Sequence, residues 1–475
     1  MLASEELAWR LAWDEQGPRS TLFEDRRSGR TYRLDEACEL GLLLSGAPDR
    51  VAEPLVHTTR FALRGEPQLE PAGALFVLHH AELGLEIRLH YQLEGPTRRK
   101  WVEVENQSGA ELLLLDVELD DFALETELSG GGRGEPVFLG ASAFAAVEHP
   151  SGLNQGEAGR IHLKHFPGQR LATGATWQSH TALVSVAEPG QAREHFVAYI
   201  QQRCRRQPRA LSVYTPFGIN NQWGACPTLD DEQTLEVLNL LGQWQKKGVR
   251  FDYFTLDTGW SDPSSDLTRF RPVAYPNGPR AVIEKVAALG MKFGLWFGTS
   301  WGTQSCWEYA PAYAGQPLPG LPYKEGYAQT LGGITFGLGE DTYFQILKIA
   351  ILHHIRENQV RFIKLDGGMY HCDNPAHGHL PGPYATEMMY ERLIELAESG
   401  RALAPDLFVM WYWGLRSPFW ALHGDSIFES GLHMEGSGTS ATPALYYRDS
   451  VTLAQDQNAQ HARTIPPLVK DSLGV

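Results

Sequence analysis

Two aspartates carry the strongest chemical signal in this sequence. Asp366 closes the run Arg361-Phe362-Ile363-Lys364-Leu365-Asp366-Gly367-Gly368, whose apolar core reads as a buried parallel strand. In an α/β barrel a carboxylate at the C-terminal end of a strand faces the pocket built by the following loops. Lys364, two residues earlier, points to the same face. Its charge keeps a neighbouring carboxylate ionised and offers a donor to a hydroxyl. Asp425, preceded by Gly424, stands at the edge of a later apolar run. Two carboxyl groups flanking one glycosidic bond are the equipment of glycoside hydrolysis: one attacks the anomeric carbon, the other protonates the leaving oxygen and then deprotonates water. Asp366 fits the nucleophile and Asp425 the acid/base. Glu429 and Glu435, which follow the same run, are the alternatives for the acid. A purely structural Lys-Asp ion pair at a strand end is the competing reading of Lys364 and Asp366.

The elements that must position these groups alternate strand and helix from residue 211 onward. Strands are expected over 211–214, 251–256, 291–297, 361–366, 406–413 and 425–429. Thr228 is the expected cap of the first helix, with Leu235, Leu238 and Leu241 as its buried stripe and Gly248 as its end. Further helices are expected over 281–289, 341–358 and 384–399, and Thr442-Pro443 opens a last one. Between 298 and 339 runs a Gly- and Pro-rich segment whose Trp301, Trp307, Tyr309 and Tyr313 favour an ordered lid. Trp413 closes the fifth strand and is a candidate sugar-facing ring, with core packing as the equal alternative. Six βα units are visible where a complete barrel has eight, and only residues 464–475 follow the last helix. The expectation is a (β/α)8-type TIM barrel over 206–475, truncated after about six units, with an open barrel or one completed by another chain as the alternatives.

Residues 1–205 read as an antiparallel β-sandwich. Leu85, Ile87, Leu89, Tyr91 and Leu93 alternate with Glu86, Arg88, His90 and Gln92. Strands at 75–78, 102–105 and 112–119 are separated by turns such as Asn106-Gln107-Ser108-Gly109, and 129–134 reads as a flexible loop. No residue of this domain suggests a reaction. Support, contact with another copy, or a pocket wall are its expected roles. The basic run 201–209 reads as a solvated linker.

Composition narrows the partners. The formal net charge is -16, against nucleic acid and anionic membrane, which select Lys and Arg clusters. The N-terminus has neither a basic nor an apolar leader region, and no window approaches the roughly 20 apolar residues of a membrane span, so the location read is cytoplasmic. Cys38, Cys204, Cys226, Cys306 and Cys372 lack CxxC spacing, which disfavours a disulfide framework or thiolate zinc site. His371, Cys372, Asp373, His377 and His379 crowd the loop after Asp366; pocket lining or plain loop is preferred there over a metal, and no cofactor is expected. His79-His80 and His353-His354 read as structural. Thirteen Trp and 11% aromatic residues suit an oligosaccharide or glycoside substrate.

Four motifs in order resemble the clan of retaining α-galactosidases, glycoside hydrolase families 27 and 36. They are Asn220-Asn221-Gln222-Trp223, Leu256-Asp257-Thr258-Gly259-Trp260, Lys364-Leu365-Asp366 and Gly424-Asp425. Family 36 is the closer match, because it places a β-supersandwich before its barrel. The resemblance implies that Trp223 packs on the sugar, that Asp257, Thr258 and Trp260 stand where the family grips hydroxyls, and that Lys364 binds substrate. It also implies Asp366 as nucleophile and Asp425 as acid/base. Thr258 replaces a family Asp, which removes a charged acceptor and points to an altered sugar preference. The family's Trp-Phe-Glu-Pro-Glu run is here Trp296-Phe297-Gly298-Thr299-Ser300, and Arg416 is a loose substitute for the family Arg. The implied activity is retaining hydrolysis of terminal α-galactose or a related α-sugar. Transglycosylation of the raffinose-synthase type and sugar binding without catalysis are the alternatives.

Overall fold

Strict alternation builds the first unit. Along Leu85–Glu94 the apolar residues Leu85, Ile87, Leu89, Tyr91 and Leu93 are all buried, and the strand pairs antiparallel with Gly73–His80 and Thr97–Asn106. In this computed structural model, which describes residues 1–204, 211–216, 229–262, 266–299, 338–366, 370–373, 378–412, 415–428, 464–465 and 470–471, these strands belong to a ten-stranded sheet. An eight-stranded sheet centred on Leu112–Ala123 and a four-stranded sheet ending at Arg30–Arg33 complete the unit. Their inner faces merge into one hydrophobic cluster, in which Trp9 stacks on Phe23 at 5.1 Å. Arg98 and Lys100 are fully buried in it and share Asp120 at 2.5 Å each, while Lys100 also reaches Glu39 at 3.0 Å. Burial alone would raise the Glu39 pKa; the Lys100 ammonium, the Tyr91 hydroxyl and the Ser20 N–H reverse that and hold it at about 2.

Two expectations for this unit change. The run 129–134 is not a loop. Positive φ at Gly130, Gly131 and Gly132 lets the chain step from one sheet to the other. Leu128–Gly130 pairs with Val137–Leu139 in the ten-stranded sheet, and Gly132–Arg133 pairs with Leu153–Glu157 in the eight-stranded one. A helix, Ala192–Arg203, also follows the strands and takes in the start of the basic run, of which 205–208 and 209 lie outside the described residues.

The chain separates into two compact units, Met1–Gln202 with Ser417–Phe419, and Arg203–Arg416 with Trp420–Val475. The second is built on one curled parallel sheet in strict sequence order: β1 (Val213–Tyr214), β2 (Tyr253–Leu256), β3 (Lys292–Gly298), β4 (Phe362–Asp366), β5 (Phe408–Tyr412), β6 (Ser426–Phe428) and β7 (Lys470–Asp471). β7 falls in the stretch after the expected last helix; Thr442 and Pro443 lie outside the described residues. The described α-helices between the strands are α1 (Asp231–Gln245), α2 (Arg280–Ala288), α3 (Asp341–Glu357) and α4 (Pro383–Leu403), and a 3-10 turn, Pro418–Leu422, precedes β6.

The cap of α1 is Asp230. Its carboxylate accepts from the Gln233 N–H at 2.8 Å, and the Gln233 side chain accepts from the Asp230 N–H at 3.2 Å. This is a reciprocal capping box; Thr228, the expected cap, lies outside the described residues, and the buried stripe of α1 is Thr234, Leu238 and Leu241, with Leu235 half-buried. Tyr253, Phe362, Phe408 and Met410 form an apolar floor on one face of the sheet. Gly294 makes room for it, since a Cβ there would lie 2.8 Å from Phe362 Cβ and 3.0 Å from Thr255 Cβ. Among the described residues no helix is long and apolar enough to cross a membrane.

Candidate active site

Above the apolar floor, the same sheet face turns polar toward the strand ends. Parallel register sets Trp296 of β3 level with Lys364 of β4 and Met410 of β5, and one step further it sets Gly298 level with Asp366 and Tyr412. Side chains two residues apart share a face, so this register alone gathers Trp296, Lys364, Asp366 and Tyr412. Asp257 follows β2 directly and is 5% exposed. Lys364 Nζ donates to Asp257 Oδ2 at 2.9 Å and lies 3.7 Å from the centre of the Tyr412 ring. The Thr258 N–H donates to Asp257 Oδ1 at 2.8 Å. Burial opposes charge on Lys364, but Asp257, Asp366 and Tyr412 overcome it and raise its pKa, so the ammonium stays charged.

Asp366 is 5% exposed and, among the described residues, is held by Trp296 and Thr299. The Trp296 indole N–H donates to Oδ2 at 2.8 Å. The Asp366 carbonyl accepts from the Thr299 N–H at 2.6 Å and from Thr299 Oγ1 at 3.0 Å, and Thr299 Oγ1 also lies 2.8 Å from the Tyr370 hydroxyl. Tyr343 of α3 donates to the Gly298 carbonyl at 3.0 Å, tying the same strand end to its helix. The arrangement presents a fixed carboxylate next to a fixed ammonium-carboxylate pair. A carboxylate so placed can attack an electrophilic carbon, and the pair can accept from and donate to hydroxyls of a sugar.

The structure brings Asp257, Lys364 and Asp366 together, with Thr258 adjoining through its backbone. It does not bring Asp425 to them. Asp425 precedes β6, and its backbone pairs with Val409 at the start of β5 (N–H to carbonyl, 2.8 Å). Val409 is level with Ile363, three residues before Asp366, which is about 10 Å down the strands at roughly 3.3 Å per residue. The Asp425 carboxylate accepts from the Val409 N–H at 2.8 Å and from Arg401 Nη2 at 2.7 Å, while Arg401 Nη1 donates to the His423 carbonyl at 2.6 Å. A residue that precedes a strand in a parallel sheet sits at the end opposite to one that closes a strand. Phe428, by contrast, is level with Tyr412 and so with Asp366; Glu429 follows it in the chain and, like Glu435, lies outside the described residues.

Trp260 is placed in the core rather than on a sugar wall. It is 2% exposed, its N–H donates to the Trp296 carbonyl at 2.7 Å, and it packs on Phe270 and His354 at 4.8 Å each. Arg416 is exposed in the segment after β5, and Trp223 and Trp413 lie outside the described residues. In the loop beyond β4, His371 and Asp373 form an exposed pair at 2.8 Å, and His377 lies outside the described residues. Cys38 and Cys204 are free thiols. Sequence reading assigned no role to Trp296, Thr299, Tyr370 or Tyr412. The available signal was the alternation along β3 and β5, which becomes informative only once register is known.

His354 behaves as the structural residue expected. It is fully buried, its Nε2–H donates to the Leu267 carbonyl at 2.9 Å, and its Nδ1 accepts from Asn358 at 2.7 Å. Burial lowers its pKa from 6.5 to about 4. The unfolded chain therefore takes up this proton first. The contribution is intact above pH 6.5, is lost as pH falls toward 4, and amounts to about 3 kcal/mol at 1.36 kcal/mol per unit. Urea unfolding at pH 7.5 and pH 4.5 is expected to show this loss, and His354→Gln is expected to flatten it by roughly that amount. An equally steep pH dependence in the variant would assign the acid lability to other groups.

No family model matches the sequence, and neither does any curated protein. Solved structures do match. The family 36 α-galactosidase AgaB from Geobacillus stearothermophilus superposes with a TM-score of 0.65 at 12% identity, over 98% of this chain and 75% of that one. A variant of AgaA from the same organism, in complex with 1-deoxygalactonojirimycin, gives 0.63 at 12% identity, over 99% and 77%. The α-galactosidase from Lactobacillus brevis gives 0.60 at 12% identity, over 95% and 74%. The fold is thus that of family 36 α-galactosidases along nearly the whole chain.

Proposed function

We propose, from a fold shared with family 36 α-galactosidases, that this chain is a retaining glycoside hydrolase acting on terminal α-linked galactose or a related α-sugar. The observation that carries the reading is the Asp366 carboxylate closing β4, fixed by Trp296 and flanked by the Lys364-Asp257 pair. In this reading the parallel sheet belongs to a (β/α)8 barrel, and 206–475 is its catalytic domain. An Asp366 oxygen bonds the anomeric carbon as the glycosidic C–O bond breaks and the leaving oxygen takes a proton from the acid. Water then attacks the same carbon from the opposite face, gives its proton to the same group as base, and releases Asp366. Two inversions give net retention.

Lys364 and Asp257 are assigned to hydroxyls of the sugar, with Trp223 and Trp413 as the aromatic faces and Arg416 as an outer contact. The acid/base is assigned to the chain that follows β6, with Glu429 first, because Asp425 is already bonded to Arg401 and Val409. Thr258 in place of a second carboxylate supports a sugar preference shifted from galactose.

Intact mass after incubation with mechanism-based α-glycosyl traps of galacto, gluco and N-acetylgalactosamino type tests this reading. A mass gain is expected with one trap and is expected to disappear in Asp366→Ala. Absence of gain with every trap would set the hydrolase reading aside in favour of a non-catalytic sugar-binding protein.

A further inference from the structure

We infer that Trp296 is the positioning residue of Asp366, its indole N–H holding one carboxylate oxygen so that the other is presented to the anomeric carbon. The inference rests on Asp366 as the nucleophile of the proposed hydrolase. The bond is 2.8 Å between two buried residues, 3% and 5% exposed. A hydrogen bond to a charged acceptor is roughly twice as strong as a neutral one, and low local polarity strengthens it further.

Trp296 is itself fixed. Its backbone lies in the middle of the β3–β4 ladder, level with Lys364, and its carbonyl accepts from the Trp260 indole at 2.7 Å. Three residues on, Thr299 grips the Asp366 carbonyl. The segment 296–299 therefore clamps Asp366 by side chain and by backbone at once, which leaves the carboxylate little freedom to rotate.

The chemistry gives the N–H a task in both steps. In the first, one Asp366 oxygen forms the bond to carbon while the glycosidic oxygen leaves with a proton from the acid. Oδ2 then becomes the carbonyl oxygen of the ester. In the second, water bonds the carbon, the base takes its proton, and the electron pair of the breaking C–O bond returns to the carboxylate, where the indole N–H stabilises the restored charge. Loss of the donor should slow both steps and make the free carboxylate easier to protonate.

The test uses the full chain with Trp296→Phe, and with 3-benzothienylalanine at 296, which keeps the ring shape and lacks the N–H. Trp296→Tyr restores a donor. The Asp366 carboxylate is followed by infrared titration with carboxyl-labelled aspartate, identified by difference from Asp366→Asn. The expected result is an apparent pKa higher by about one unit without the donor and partly recovered with Tyr. Turnover of an aryl α-glycoside is expected to fall by about 10²-fold in kcat with KM little changed, and the acid limb of the pH profile to move with the carboxylate. An Asp366 titration unchanged in the benzothienyl variant would overturn the proposal. That titration needs no turnover, so failure of the wild-type chain to hydrolyse any substrate would count against the hydrolase reading and not against the Trp296–Asp366 coupling.

Discussion

Asp366→Ala is expected to reduce kcat on an aryl α-galactoside by about 10⁴-fold or more, the range seen when a nucleophile that works with partner groups is removed. The fold should survive it. The lost carboxylate leaves the Trp296 N–H without its 2.8 Å acceptor, a cost of about 1–3 kcal/mol for a buried donor. Azide gives the decisive reading. A small anion entering the vacated space attacks the anomeric carbon once, so restored turnover should yield a glycosyl azide of inverted configuration. Product of retained configuration, or no response to azide together with a small loss of activity, would place the nucleophile elsewhere.

Asp425→Asn separates two roles for one residue. The Asp425-Arg401 pair is almost wholly enclosed, each side chain 4% exposed. Removing its charge leaves the Arg401 guanidinium with the His423 carbonyl and Glu398 at 3.9 Å. Breaking a buried pair from one side costs about 3–5 kcal/mol, and a unit a little above 250 residues loses roughly 2 °C in Tm per kcal/mol. The variant is therefore expected to melt about 6–10 °C lower and to keep kcat within a few-fold of wild type. An acid/base role predicts the reverse: an unchanged melt and a drop of about 10²–10⁴ in kcat, largest with poor leaving groups. Melting curves alongside kcat for an aryl and an alkyl glycoside decide it, with Glu429→Gln as the matching variant expected to show the catalytic pattern.

Local pattern along the chain is enough for the separate pieces. Period-two alternation along 85–93 gave a half-buried strand with every inward residue correct. The apolar run 361–366 gave a buried strand closed by a carboxylate, with Lys364 on its face. The order strand, helix, strand after residue 211 gave a parallel sheet in sequence order. These features follow from periodicities of 2 and 3.6, which a chain carries within a few residues.

Which pieces meet depends on the assembled sheet. Lys364 reaches Asp257 across 107 residues and Trp296 reaches Asp366 across 70, through register that no local pattern specifies. A Gly-Asp pair beside an apolar run looks the same at either end of a strand, and the sheet's polarity put Asp425 at the far one. Trp260 was equally ambiguous, since an aromatic ring suits a sugar cleft and a core alike, and packing on Phe270 and His354 settled it as core. Chemistry-bearing residue types can be read along the chain, but the distances that make them a site are set by strand register and strand direction, which are properties of the whole sheet.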